Sequence, residues 1–147
     1  MKAIVKSKPE ALCDVMEIPY PSLEDGWVII KVKACGICGS DVASAVRPWE
    51  EVQKSFRPGQ EYFVFGHEFV GEIAEVGKSV QNISVGDHVT VNPWYWNACG
   101  KCESCRSYRP YDCRSPTQVR RSGGMAEYAA APAAFVHKLP KEMAWDD

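Results

Sequence analysis

Cys38 and His67 stand in two short stretches, ACGICGSD at 34–41 and FGHEFVGE at 65–72, that carry side chains able to hold a reactive metal. A catalytic zinc ion keeps three protein ligands and one open position, and mixed thiolate and imidazole ligation is common. Cys38 and His67 are ligands of that kind, and Glu68 adds a carboxylate beside the histidine. The pair alone is a weak signal, because a cysteine and a histidine coexist in most chains. Two plainer readings therefore stay open. Cys35 and Cys38 form a C-x-x-C spacing that suits a redox pair, although no βαβ pattern surrounds it. His67 also fits a hydrogen-bonded structural histidine. His88 and His137 have no other ligand types beside them and read as structural or exposed, and Cys13 reads as a buried small hydrophobe.

The densest cluster lies downstream. ACGKCESCRSYRPYDC, residues 98–113, holds four of the seven cysteines, Cys99, Cys102, Cys105 and Cys113, in the spacing C-x2-C-x2-C-x7-C. Disulfides between cysteines so close in sequence would be strained. An iron–sulfur cluster and a zinc ion both accept four thiolates, and the spacing does not separate them. Partly buried thiols with no metal are the plainest reading. Four thiolates around one zinc ion leave no open position, so such a site holds a loop and activates nothing. Lys101, Arg106, Arg109 and Arg114 stand among the sulfurs and would offset the surplus negative charge. The expectation is a structural metal loop over about 94–116, with the chemistry placed at Cys38 and His67.

Those side chains need a scaffold, and the chain reads as strands. AIVK at 3–6 and WVIIKVKA at 27–34 are rich in β-branched residues, and in the second Val28, Ile30 and Val32 alternate with Ile29, Lys31 and Lys33. EFVGEIAEVG at 68–77, DHVTVN at 87–92, AEYAAA at 126–131 and AFVHKLP at 134–140 continue the pattern, punctuated by turn signals at EDG, VGK and VGD. SDVASAV at 40–46 is the helix candidate, with Ser40 or Asp41 as its N-cap. The sum is a mostly-β barrel with few short helices. No G-x-G-x-x-G follows a strand, and the Gly123–Gly124 pair lacks a third glycine and a following helix.

At 147 residues the chain suits one domain, and 46% hydrophobic with 24% charged residues is the balance of a soluble globular protein. A net charge of -2 argues against a nucleic-acid face, which normally carries a basic excess. No apolar run is long enough to span a membrane, and MKAIVKSKPE has no apolar h-region. A cytoplasmic, reducing location is expected, where clustered cysteines more often bind metal than form disulfides.

In order along the chain, CGICGSD, GHEFVGE, VGKSVQNISVGDHV, the four-cysteine stretch and GGMAEY form a series. It resembles the catalytic domain of the zinc-dependent medium-chain dehydrogenase/reductase family, the alcohol, polyol and threonine dehydrogenases. The likeness runs from Lys2 to about Trp145, and it implies a GroES-like β-barrel. Carried over position by position, Cys38 and His67 resemble the catalytic zinc ligands. Glu68 resembles the carboxylate that approaches the metal during ligand exchange. Asp41 resembles the residue that orients the histidine, and Ser40 the hydroxyl that relays the substrate's proton. Cys99, Cys102, Cys105 and Cys113 resemble the structural zinc ligands, and Tyr95 a pocket-lining side chain. The resemblance implies one structural and one catalytic zinc, NAD or NADP in a full-length parent, and a small alcohol or polyol as substrate.

Three departures from the family pattern stand out. Ala43 occupies the position where many members carry a histidine that ends the proton relay, and Tyr108 stands where glycine is common. The chain stops at KEMAWDD, before the stretch where relatives carry a nucleotide-binding domain, which would need roughly 100–200 further residues. The expectation is therefore a catalytic domain over 1–147, inactive by itself, with an apolar cleft wall that invites self-association. The rival classes are a non-catalytic zinc-binding interaction module and an iron-bearing electron carrier.

Overall fold

The computed structural model describes residues 1–54, 56, 60–93, 102–107, 109–113 and 123–145. Within them the chain is built on strands: β1 (Lys2–Lys6), β2 (Asp14–Glu17), β3 (Trp27–Cys35), β4 (Phe63–Val64), β5 (Phe69–Val76), β6 (His88–Val91), β7 (Tyr128–Pro132) and β8 (Val136–Lys138). Three short helices accompany them, α1 (Gly39–Val46), α2 (Trp49–Gln53) and α3 (Glu103–Arg106). The mostly-β expectation holds.

The strands form two antiparallel sheets, ordered β2-β1-β4 and β7-β3-β5-β6-β8. Their ladders do not close into one ring among the described residues; a single bridge, Ala3 to Ala126, spans them. The larger sheet carries the main core. Val28, Ile30, Phe69, Ile73, Val89 and Val91 meet Ala129, Ala131, Phe135 and Val136 there. Each large side chain so enclosed contributes about 1.5–3 kcal/mol. A smaller cluster of Ala3, Val5 and Ile18 lies against the first sheet.

Three sequence expectations need correction. The alternation in β3 begins only at Lys31, because Ile29 is buried as well as Val28 and Ile30. Ile29 pairs with Glu75 and Lys31 with Tyr128, so these share its face. Tyr20 lies across it, donating to Glu75 Oε1 at 2.7 Å and packing on the Tyr128 ring at 4.9 Å. In AFVHKLP only Val136–Lys138 is a strand, since Ala133–Phe135 turn as a 3-10 helix that tucks Phe135 into the core. DVME, FV and WEEVQ, now β2, β4 and α2, carry too few residues for a period to stand out. Cys13 is exposed, not buried, because it stands outside the strands and faces no core.

Candidate metal centre

The antiparallel ladder between β3 and β5 brings the two motif stretches together. Ala34 pairs with Val70 and Cys35 with Phe69, and just past the strand end the Gly36 N–H donates to the Glu68 carbonyl at 2.7 Å. ACGICGSD and FGHEFVGE therefore leave one end of the same sheet side by side. The first turns into α1, and the second begins β5.

Cys38 is the N-cap of α1, where Ser40 or Asp41 was the expectation. Asp41 lies inside the first turn and reaches back, with Oδ2 accepting the Cys38 N–H at 3.0 Å. This is one half of a capping box, supplied by a carboxylate where the first turn favours negative charge. Its Oδ1 accepts the Gly66 N–H at 3.1 Å and stands 3.4 Å from His67 Nδ1. Asp41 is only 6% exposed, so these donors are what makes its burial tolerable. Nδ1 faces Asp41, an arrangement that suits a ring donating there and leaving Nε2 for a ligand. Nε2 lies 3.3 Å from Ser40 Oγ.

Gly66 makes the turn possible. Its φ is +85°, and a Cβ there would stand 2.6 Å from Cys35 Sγ and 2.7 Å from the Met125 nitrogen. Cys35 fills the space beneath it. Burial, joined by the Asp41 and Glu68 charges, pushes the Cys35 thiol up to about 11, although a hydrogen bond from the Glu68 backbone works the other way. A thiol held protonated is a poor redox nucleophile, which weighs against a C-x-x-C redox pair.

One donor atom each from Cys38, His67 and Glu68 lies within 4.8 Å of the other two. Cys38 and His67 are half-buried and Glu68 is exposed. Thiolate, imidazole and carboxylate at that spacing fit a single zinc ion, whose bonds are about 2.0–2.3 Å long. The orientation of His67 by a buried carboxylate fits too, since a metal-bound histidine usually donates its second N–H to such a partner.

The second cluster is described in part. Cys102 caps α3, Cys105 lies within it, and Cys113 follows the 3-10 turn Pro110–Asp112. Cys102 Sγ is 3.5 Å from Cys105 Sγ and 3.9 Å from Cys113 Sγ, and all three donor atoms lie within 4.8 Å of one another. A disulfide needs about 2.05 Å. Tetrahedral thiolates on a zinc ion stand about 3.8 Å apart, which these separations match. Cys105 belongs to the main core, and Cys102 and Cys113 pack against it. Arg106 and Arg109 are exposed beside them. Cys99, Tyr95, Lys101, Tyr108 and Arg114, with most of the stretch 94–116, lie outside the described residues.

His137 is exposed, and half-buried His88 packs its ring against Trp145 at 4.1 Å, so neither joins a donor cluster. Sequence reasoning passes over Gly36 and Gly66. Both lie inside the quoted motifs, so their signal was present and needed only the question of why a glycine stands there.

Among known proteins, the sequence profile of the alcohol dehydrogenase GroES-like domain matches residues 24–141. L-threonine 3-dehydrogenase of Streptomyces avermitilis is 40% identical over 97% of the chain and 41% of its own length. An alcohol dehydrogenase of Geobacillus stearothermophilus is 37% identical over 97% of the chain and 41% of its own length. Among solved structures, a short chain alcohol dehydrogenase from Escherichia coli complexed with NADH superposes with a TM-score of 0.71 at 33% identity, covering 99% of this chain and 40% of that one. The chain thus spans about two fifths of the length of the relatives it matches. No described helix is long and apolar enough to cross a membrane.

Proposed function

Because the chain belongs to the alcohol dehydrogenase GroES-like domain family, we propose that it is the metal-holding catalytic domain of a zinc-dependent oxidoreductase. The reaction is hydride transfer between an alcohol or polyol and NAD or NADP. The observation that carries this reading is the meeting of Cys38, His67 and Glu68 donors within 4.8 Å, beside the Ser40 hydroxyl. Two relatives bear the names threonine and alcohol dehydrogenase, and a solved relative holds NADH, which supports the reaction class and the cofactor.

Each side chain has a role that its geometry suits. Cys38 and His67 would hold the zinc, and exposed Glu68 would offer a carboxylate within reach of the same ion. A zinc ion held there would supply Lewis acidity toward the alcohol. Asp41 keeps the His67 ring in one tautomer and one plane. Ser40 Oγ, at 3.3 Å from Nε2, is placed to take the alcohol's proton once Nε2 is engaged elsewhere. Ala43 offers no onward acceptor, so the proton would need water, another group or the cofactor ribose as its exit. A second zinc belongs to Cys99, Cys102, Cys105 and Cys113, and it holds the loop at about 94–116 without taking part in the reaction. A reducing compartment such as the cytoplasm suits a centre built on thiolates.

Residues 1–147 act as one catalytic domain on this reading, with the dinucleotide carried by sequence outside them. Metal analysis tests the proposal. Two zinc ions per chain are expected, falling to one in Cys38→Ala. Iron in place of zinc, or unchanged zinc in that variant, would overturn it. In a protein joining these residues to a nicotinamide-binding domain, Cys38→Ala is expected to abolish alcohol oxidation.

A further inference from the structure

Lys6 is a lysine with only 3% of its surface exposed, and a buried ammonium needs partners. Its Nζ donates to the Ala45 carbonyl and, at 2.8 Å, to the Arg47 carbonyl. Ala45 lies in the last turn of α1, and Arg47 is its C-cap. The final carbonyls of a helix lack intrahelical partners and form the negative end of its dipole. The last turn of α1 has no basic residue of its own. The cation that completes it comes from β1, far away in sequence.

The backbone of Lys6 has a second attachment. It pairs with Phe63 of β4, and the chain then runs through Phe65 and Gly66 to His67. Lys6 therefore grips both segments that build the metal centre. Its side chain holds the helix that starts at Cys38 and carries Ser40 and Asp41. Its main chain holds the strand that delivers His67 and Glu68. At 1.5 Å of rise per residue, the gripped end of α1 is about 10 Å from Cys38, so Lys6 touches no ligand.

We propose that Lys6 is a positioning residue for the metal centre, its ammonium fixing α1 along its axis against β4 and so setting where Cys38 and Ser40 stand relative to His67. The proposal rests on the reading that Cys38, His67 and Glu68 hold a metal. Without the cation, α1 keeps the ties at its first turn through Asp41 and loses these two hydrogen bonds at its far end.

The test is titration of the 147-residue chain with cobalt(II), whose visible and charge-transfer bands report thiolate ligation, in wild type, Lys6→Met, Lys6→Arg and Cys38→Ala. Cys38→Ala defines the signal of the second, all-cysteine centre, and subtracting it isolates the Cys38 centre. Lys6→Met is expected to weaken cobalt binding at the Cys38 centre by about tenfold, the order found when the surroundings of metal ligands are altered. The all-cysteine signal should persist, and Lys6→Arg, which keeps a cation for the carbonyls, should stay within about threefold of wild type. Wild-type binding in Lys6→Met, equal loss in both Lys6 variants, or loss of both signals together would overturn the proposal. If Cys38→Ala leaves the whole spectrum unchanged, the reading of the metal centre itself fails instead.

Discussion

Asp41 places its two oxygens against three nitrogens, those of Cys38, Gly66 and His67. An amide cannot replace it without aiming a donor at a donor. Asp41→Asn should therefore weaken metal binding at Cys38 and His67 by about 10–100-fold, measured by competition with a chromophoric chelator. The all-cysteine centre should hold its metal in the same variant. Cys35 gives a second prediction, in pH. Its thiol ordinarily ionises near 9.0 and is pushed up to about 11 in the folded chain, first by burial. The folded state keeps this proton where the unfolded state has released it, so Cys35 lowers stability as pH rises through that window and costs nothing below it. Denaturation midpoints of Cys35→Ala should fall less steeply between about pH 9 and 11 than those of wild type. Side-chain type alone marks Cys38, His67 and Glu68 as candidate ligands in the sequence, and the fold brings their donor atoms together. Lys6 is not legible, because a lysine at a strand end has the same letter whether it faces water or the end of a distant helix.

At the scale of elements, the long strands β3 and β5 announce themselves by β-branched runs, and their pairing is what joins the two motif stretches. The end of α1 is less legible. Serine and aspartate are the preferred N-caps, yet a cysteine takes the position while the aspartate acts from within the first turn. Capping statistics concern the helix alone, whereas Asp41 is also committed to Gly66 and His67 on another segment. Gly66 is the joint between β4 and β5, and its left-handed φ leaves no room for a Cβ against Cys35 and Met125. Gly66→Ala is expected to cost about 1–3 kcal/mol, read from urea denaturation, and to lower the occupancy of the Cys38 centre. Ordinary stability with full metal binding in that variant would show that the joint can relax.

For the whole molecule, two sheets and their core frame one end at which Cys38, Ser40, His67 and Glu68 emerge. Ile37 beside Cys38, and Val42 and Val46 along α1, stand exposed, apolar side chains suited to being covered. Titration of the 147-residue chain with NADH or NADPH, followed by fluorescence, is expected to show no saturation, and an alcohol panel no zinc-dependent turnover. Either signal would mean that these residues carry a nicotinamide site of their own. Concentrated samples should self-associate in sedimentation velocity, and Val46→Glu should reduce this.

The sulfur of Cys105 lies in the same core as Phe69, Val91 and Phe135. On the proposed reading that Cys105 is a zinc ligand, loading of the metal is tied to the packing of this core. When zinc is scarce, an emptied cysteine lobe would pull at the packing of the larger sheet as well as at its own loop. Proteases would then find cleavage points that the loaded chain hides. Limited proteolysis should cut the chelated chain several times faster than the zinc-loaded one, with early cuts beyond the lobe, in the strands next to Cys105.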